Sequence, residues 1–165
     1  MRDNETSPIV VGFDGSEAAV AALHWAVDQA RLLGCPIDVI SVWHMEYTVM
    51  MEPSSAATRL DPRIVEDGHR TVLEAATADI DGVDLRGVLI EGDVKRLLVE
   101  TSGDARLLVV GNRGHGPLAE LLLGSVSSYC VHHATCPVVV VKAARQMAPR
   151  AERLPMAPLT PGPLL

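Results

Sequence analysis

Hydrophobic positions along this chain gather into five short, nearly continuous runs, with longer stretches of helical spacing between them. Pro8 to Phe13 and Ile37 to Trp43 are the first two runs. Val83 to Ile90 (with Gly87 inside it), Arg106 to Val110 and Pro137 to Val141 complete the set. Continuous apolar runs of this length fit strands buried on both faces. After the first run, Asp14-Gly15-Ser16 forms a turn, and Ser16 serves as an N-cap. Val20, Leu23, Val27 and Ala30 then fall on one face of a helix that runs to Leu33. Gly34 and Pro36 stop it. A second helix is predicted over Arg63 to Ile80, where Ile64, Gly68, Val72, Ala76 and Ile80 recur every four residues. Asp93 caps a short helix carrying Val94, Leu97 and Leu98, closed by Gly103. The last helix is predicted over Ser125 to His133.

Strands alternating with helices imply an α/β fold: a doubly wound five-stranded parallel sheet with right-handed crossovers and helices on both faces. In such sheets ligands bind outside the carboxyl ends of the strands, where the strand order reverses. If the first and fourth strands are neighbours, Asp14 and Gly111 face one crevice. Residues 44 to 62 show no period and carry Met45, Met50 and Met51, a gap of the kind that is usually functional or mobile. Residues 1 to 7 are expected to be loose, residues 8 to 142 to form the domain, and the proline-rich tail 143 to 165 to be disordered.

At 165 residues the chain fits a single domain with a substantial core. A net charge of −7 argues against a nucleic-acid surface. An anionic ligand would have to be held by local geometry against that overall charge. Cys35, Cys130 and Cys136 form no Cys-x-x-Cys and read as small buried hydrophobes of a reducing cytosol. With neither a signal peptide nor an 18-residue apolar span, the chain is expected to be cytoplasmic, with no membrane partner.

The stretch that carries chemistry is Val109-Val110-Gly111-Asn112-Arg113-Gly114-His115-Gly116, followed by Gly124-Ser125-Val126. Glycines let backbone N–H groups approach an anion with no Cβ in the way. A helix start adds unpaired N–H groups and partial positive charge. Strand, glycine loop and helix start together make a phosphate cradle. It is not a P-loop, because no Gly-Lys-Ser/Thr closes it. Nor is it a dinucleotide fingerprint, since no acidic residue ends a following strand. His132 and His133 project about 100° apart on a helix, a poor geometry for sharing a metal, and read as surface or packing residues. Trp25 and Trp43 read as core or interface residues. No nucleophile elbow or serine–histidine–aspartate set is evident, so the chain is not read as an enzyme.

Gly-x2-Gly-x9-Gly-Ser, together with Val11-Gly12-Phe13-Asp14-Gly15-Ser16 and the closing Thr135-Cys136-Pro137-Val138-Val139-Val140-Val141, resembles the universal stress protein family over residues 7 to 142. That resemblance implies strand order 3-2-1-4-5, homodimers, and ATP as ligand. Asp14 would lie beside adenine or ribose, Gly12 would admit the nucleotide to the first strand, and the backbone of Val42 would contact adenine. Gly111, Asn112, Gly114 and Gly116 would shape the phosphate loop. Arg113 and His115 would add charge, and Gly124, Ser125 and Val126 would donate to phosphates. Mg²⁺ would accompany the phosphates, since it usually takes few protein ligands. One departure stands out: where some relatives carry a basic residue before Gly-Ser, this chain has Glu120-Leu121-Leu122-Leu123. In the implied order Pro137 to Val141 is an apolar edge, which invites a two-fold dimer. The expected function is an ATP-binding, nucleotide-responsive regulator of the stress response with a protein partner. The alternatives are an interaction module that binds no nucleotide, and a slow ATPase.

Overall fold

The structure, a computed structural model, describes residues 7–44, 61–112 and 123–143. Their elements are β1 (Ile9–Gly12), α1 (Glu17–Leu33), β2 (Ile37–Trp43), α2 (Pro62–Thr77) and β3 (Leu85–Glu91). α3 (Val94–Thr101), β4 (Leu107–Gly111), α4 (Ser125–His133) and β5 (Val138–Val141) follow. The strands form one sheet in the order β3-β2-β1-β4-β5, and every neighbouring pair is parallel.

Strand residues alternate between two apolar layers, as the period of two requires. Ile9, Val11, Val39 and Val109 pack with α1 and with Leu73 of α2. Val10, Ile40, Leu108 and Val110 pack on the other face with Leu98 of α3 and Cys130 of α4. Both faces are therefore covered, which explains the lack of polar alternation in the central strands. At the β2–β3 pair, Asp38 and Arg86 are register partners. The guanidinium donates to both carboxylate oxygens, at 3.0 and 2.8 Å.

The caps follow from local chemistry. Ser16 accepts the Ala19 N–H at 3.2 Å, and Asp93 accepts the Arg96 N–H at 2.8 Å. Gly34 ends α1 in the left-handed region, φ +64°, with its N–H on the Ala30 carbonyl at 2.8 Å.

Several expectations need correction. On α1, Leu23, Val27 and Ala30 are buried as expected, but Val20 is 36% exposed, and Ala18, Ala19, Ala22 and Ala26 complete the buried face. On α2 the four-residue stripe meets the core only at its far end, where Ala76 and Ile80 pack; Ile64 is 63% and Val72 48% exposed, while Leu73 is buried. Positions four apart drift about 40° around a helix at each step, so such a stripe winds off the packed face. α2 also begins and ends earlier than Arg63 to Ile80, with Asp61 capping and Pro62 in the first turn. β3 starts at Leu85 rather than Val83, after the turn at Gly82, φ +75°. The expected segments 1 to 7 and 143 to 165 fall almost wholly outside the described residues.

Candidate functional site

The order of the sheet reverses between β1 and β4, whose chains leave toward opposite edges. Gly12 is paired with Ile40 on one side and with Val110 on the other. Two residues further along each strand stand Asp14, Val42 and Asn112. These three therefore share one level at the carboxyl-terminal side of three adjacent strands, where doubly wound folds take their ligands. Asp14 is exposed, and its Oδ1 accepts the Ser16 N–H at 3.0 Å, so it also shapes the turn into α1. Val42 is half-buried and packs toward the layer containing α3 and α4.

The second half of the site is the start of α4. Its N-cap is Gly124, at φ −73° and ψ 169°, and no side chain caps the helix. This backbone conformation is open to any residue, so the glycine matters for what it lacks, a capping oxygen and a Cβ. The N–H groups of Ser125 and Val126 have no hydrogen-bond partner among the described residues. Such groups carry the positive end of the helix dipole. Gly124 is tied to the end of β4: its N–H donates to the Asn112 carbonyl at 2.7 Å, and the Asn112 N–H donates to Val141 at 2.7 Å. The α4 start thus sits beside Asn112 and adjoins the crevice holding Asp14.

The two strand-end glycines have packing roles. A Cβ at Gly12 would stand 3.0 Å from Leu98 Cδ1 and 3.2 Å from Val110 Cγ1, so this glycine makes room for α3. A Cβ at Gly111 would stand 2.8 Å from the Ala18 carbonyl carbon, so this glycine makes room for the first turn of α1. Arg113, Gly114, His115 and Gly116 lie outside the described residues.

Beneath the site, Cys130 anchors α4 in the core. Burial, helped by nearby Cys136, pushes its thiol from the ordinary 9.0 up to about 11. Cys35 is buried and Cys136 partly so. His132 and His133 are exposed, each with Nδ1 against a carbonyl one turn back, at 2.7 and 2.9 Å. The His133 ring stacks on Tyr129 at 3.9 Å. Trp43 is buried, as expected of a core residue. Among the described residues no group of three or more His, Cys, Asp or Glu side chains is placed to hold a metal, and no helix is long and apolar enough to cross a membrane. Sequence reasoning missed Ser127, 2% exposed, whose hydroxyl donates to the Asn112 and Gly124 carbonyls, both at 3.1 Å. Its position two residues after Gly-Ser was the available signal.

Comparison with known proteins is consistent across sequence and structure. The model of the universal stress protein family matches residues 5–142. A universal stress protein of Mycobacterium tuberculosis is 32% identical over 171 residues, covering 93% of this chain and 52% of the relative. The chain thus spans about half the length of the curated relatives it matches. Among solved structures, a universal stress protein in complex with cAMP superposes with TM-score 0.61 at 25% identity, covering 84% of this chain and 98% of that one. The universal stress protein of Archaeoglobus fulgidus in complex with dAMP superposes with TM-score 0.60 at 25% identity, covering 82% of this chain and 98% of that one.

Proposed function

The chain belongs to the universal stress protein family, and we propose that it is an ATP-binding member acting as a nucleotide-responsive regulator of the stress response. The observation that carries this reading is the start of α4, where no described residue caps the helix or accepts the Ser125 and Val126 N–H groups, beside Asn112 at the sheet's switch point. Structures of two similar proteins in complex with adenine nucleotides supply the ligand class.

In this reading the nucleotide lies across the carboxyl ends of β2, β1 and β4. Asp14 and the Val42 backbone face the nucleoside end. Ser125 and Val126 donate N–H groups to phosphate, and the Ser125 hydroxyl adds a further donor. Gly111, Gly114 and Gly116 shape the loop between, and Arg113 and His115 offset the net charge of −7. Mg²⁺ is held chiefly by phosphate oxygens, in keeping with its preference for few protein ligands. Two chains join through β5, and occupancy of the site alters the surface offered to a protein partner in the cytoplasm.

The test is to denature freshly purified protein, identify any released nucleotide by mass spectrometry, and titrate emptied protein with ATP and Mg²⁺. Adenine nucleotide recovered near one per chain, or saturable ATP uptake, is the expected result. Protein that carries none and takes up none would be an interaction module of the same fold instead. Phosphate release abolished by Asp14→Ala would make it a slow ATPase.

A further inference from the structure

We infer that Ser127 is a positioning residue for phosphate recognition, acting on the first turn of α4 without touching the ligand. The inference rests on the nucleotide reading above and assigns a role within that same site.

The hydrogen bonds among the described residues at the β4–α4 junction lead to it. The Asn112 carbonyl accepts the Gly124 N–H at 2.7 Å and the Ser127 hydroxyl at 3.1 Å. The Gly124 carbonyl accepts the Ser128 N–H at 2.9 Å and the same hydroxyl at 3.1 Å. A carbonyl oxygen has two lone pairs, and each of these oxygens has a second donor within reach. A hydroxyl has one proton, so Ser127 is a shared donor between the end of the strand and the cap of the helix. At 2% exposure it is enclosed by protein and out of reach of a bound nucleotide.

The consequence is geometric. Ser125 and Val126 present N–H groups with no partner among the described residues, in the turn that begins at Gly124. Ser127 and the Gly124 N–H together tie that turn to Asn112 at the end of β4. Without the hydroxyl, the link holding Gly124 to Asn112 loses one of its two supports. An arriving phosphate would then meet a less fixed pair of donors. Preorganised donors bind charge better than donors that must reorient.

The test compares the parent chain with Ser127→Ala and Ser127→Thr, measuring ATP affinity by calorimetry and backbone amide shifts by NMR. In the parent, ATP should move the amides of Asp14, Val42, Ser125 and Val126. In Ser127→Ala, affinity should fall about tenfold, the scale of one lost hydrogen bond. The Asp14 and Val42 shifts at saturation should persist while those of Ser125 and Val126 shrink. Ser127→Thr, which keeps the hydroxyl, should restore both readouts. Unchanged affinity, or an equal loss of shift at all four amides, would overturn the positioning role and leave nucleotide binding standing. A parent chain with no response to ATP would overturn the nucleotide reading and this inference together. Should Ser127→Ala not fold, Ser127→Cys, a weak donor of similar size, takes its place with the same expected pattern. If neither folds, Ser127 maintains the fold rather than the cradle, and the inference fails.

Discussion

Gly111 and Ala18 meet so closely that a Cβ on Gly111 would lie 2.8 Å from the Ala18 carbonyl carbon and 2.9 Å from its Cβ. Gly111 has no positive φ, so backbone conformation does not require glycine there. The close approach does. It brings the first turn of α1, which follows Asp14, against the end of β4, which leads into Asn112. One contact therefore sets the width of the crevice.

Gly111→Ala should cost about 1–3 kcal/mol, the usual scale of overpacking a closed interior. The atoms in the way are largely backbone, which cannot swing aside as a long side chain can. Urea unfolding should show a lower midpoint, and ATP affinity should fall as α1 shifts away from β4. A variant as stable as the parent would mean that α1 yields readily and that Gly111 does not set the crevice.

Gly124→Ser should separate stability from binding. A serine at this N-cap can accept the N–H groups of the first turn and stabilise α4 by a few tenths of a kcal/mol. The same hydroxyl competes with phosphate for those groups. Thermal melting should therefore hold steady or rise slightly while ATP affinity drops. Equal ATP affinity in the two proteins would show that the α4 start is not where phosphate binds.

The strand runs and caps were legible because each depends on neighbours in sequence. Ser16, Gly34 and Asp93 act within a turn of where they stand. The switch-point pairing of β1 with β4 was legible only through topology rules and family resemblance, since Gly12 and Val110 are remote in sequence. The α1 face was read only in part because alanines carry little hydrophobic signal: Leu23 and Val27 are buried as expected, but Ala18, Ala22 and Ala26 are what let the helix lie close to the sheet. The packing roles of Gly12 and Gly111 were illegible. Each depends on a side chain or turn brought from elsewhere, Leu98 in one case and Ala18 in the other. Ser127 was passed over for a similar reason: its acceptor on Asn112 lies 15 residues away in sequence.

Cys130 should leave an alkaline signature. Burial holds its thiol near 11 in the folded chain, above the ordinary 9.0. Below about pH 9 both folded and unfolded chains keep the proton, and the full contribution is present. As pH rises from 9 toward 11 the unfolded thiol ionises first, favouring unfolding, and the contribution is lost. Cys130→Ala should be less stable at pH 8, through the cavity it leaves. The deficit should narrow as pH approaches about 11. Urea midpoints of both proteins across this range give the answer, and a constant gap would contradict the burial account.

The open side of β5 should carry the dimer. Among the described residues, Val138–Val141 pairs with β4 on one side only and ends the sheet order. The Leu108 N–H reaches the Pro137 carbonyl and the Asn112 N–H reaches the Val141 carbonyl, each bond directed inward to β4. In a strand, successive residues point their polar groups to opposite sides. Val138 and Val140 therefore direct N–H and C=O away from β4, toward the unpaired edge. Proline at such a position removes one outward donor and leaves the β4 ladder intact. The 17.6 kDa chain should sediment as a species of twice that mass, and Val140→Pro as a monomer with unchanged circular dichroism. A parent chain that is monomeric at micromolar concentration would remove the dimer, and a Val140→Pro variant that stays dimeric would move the association away from this edge.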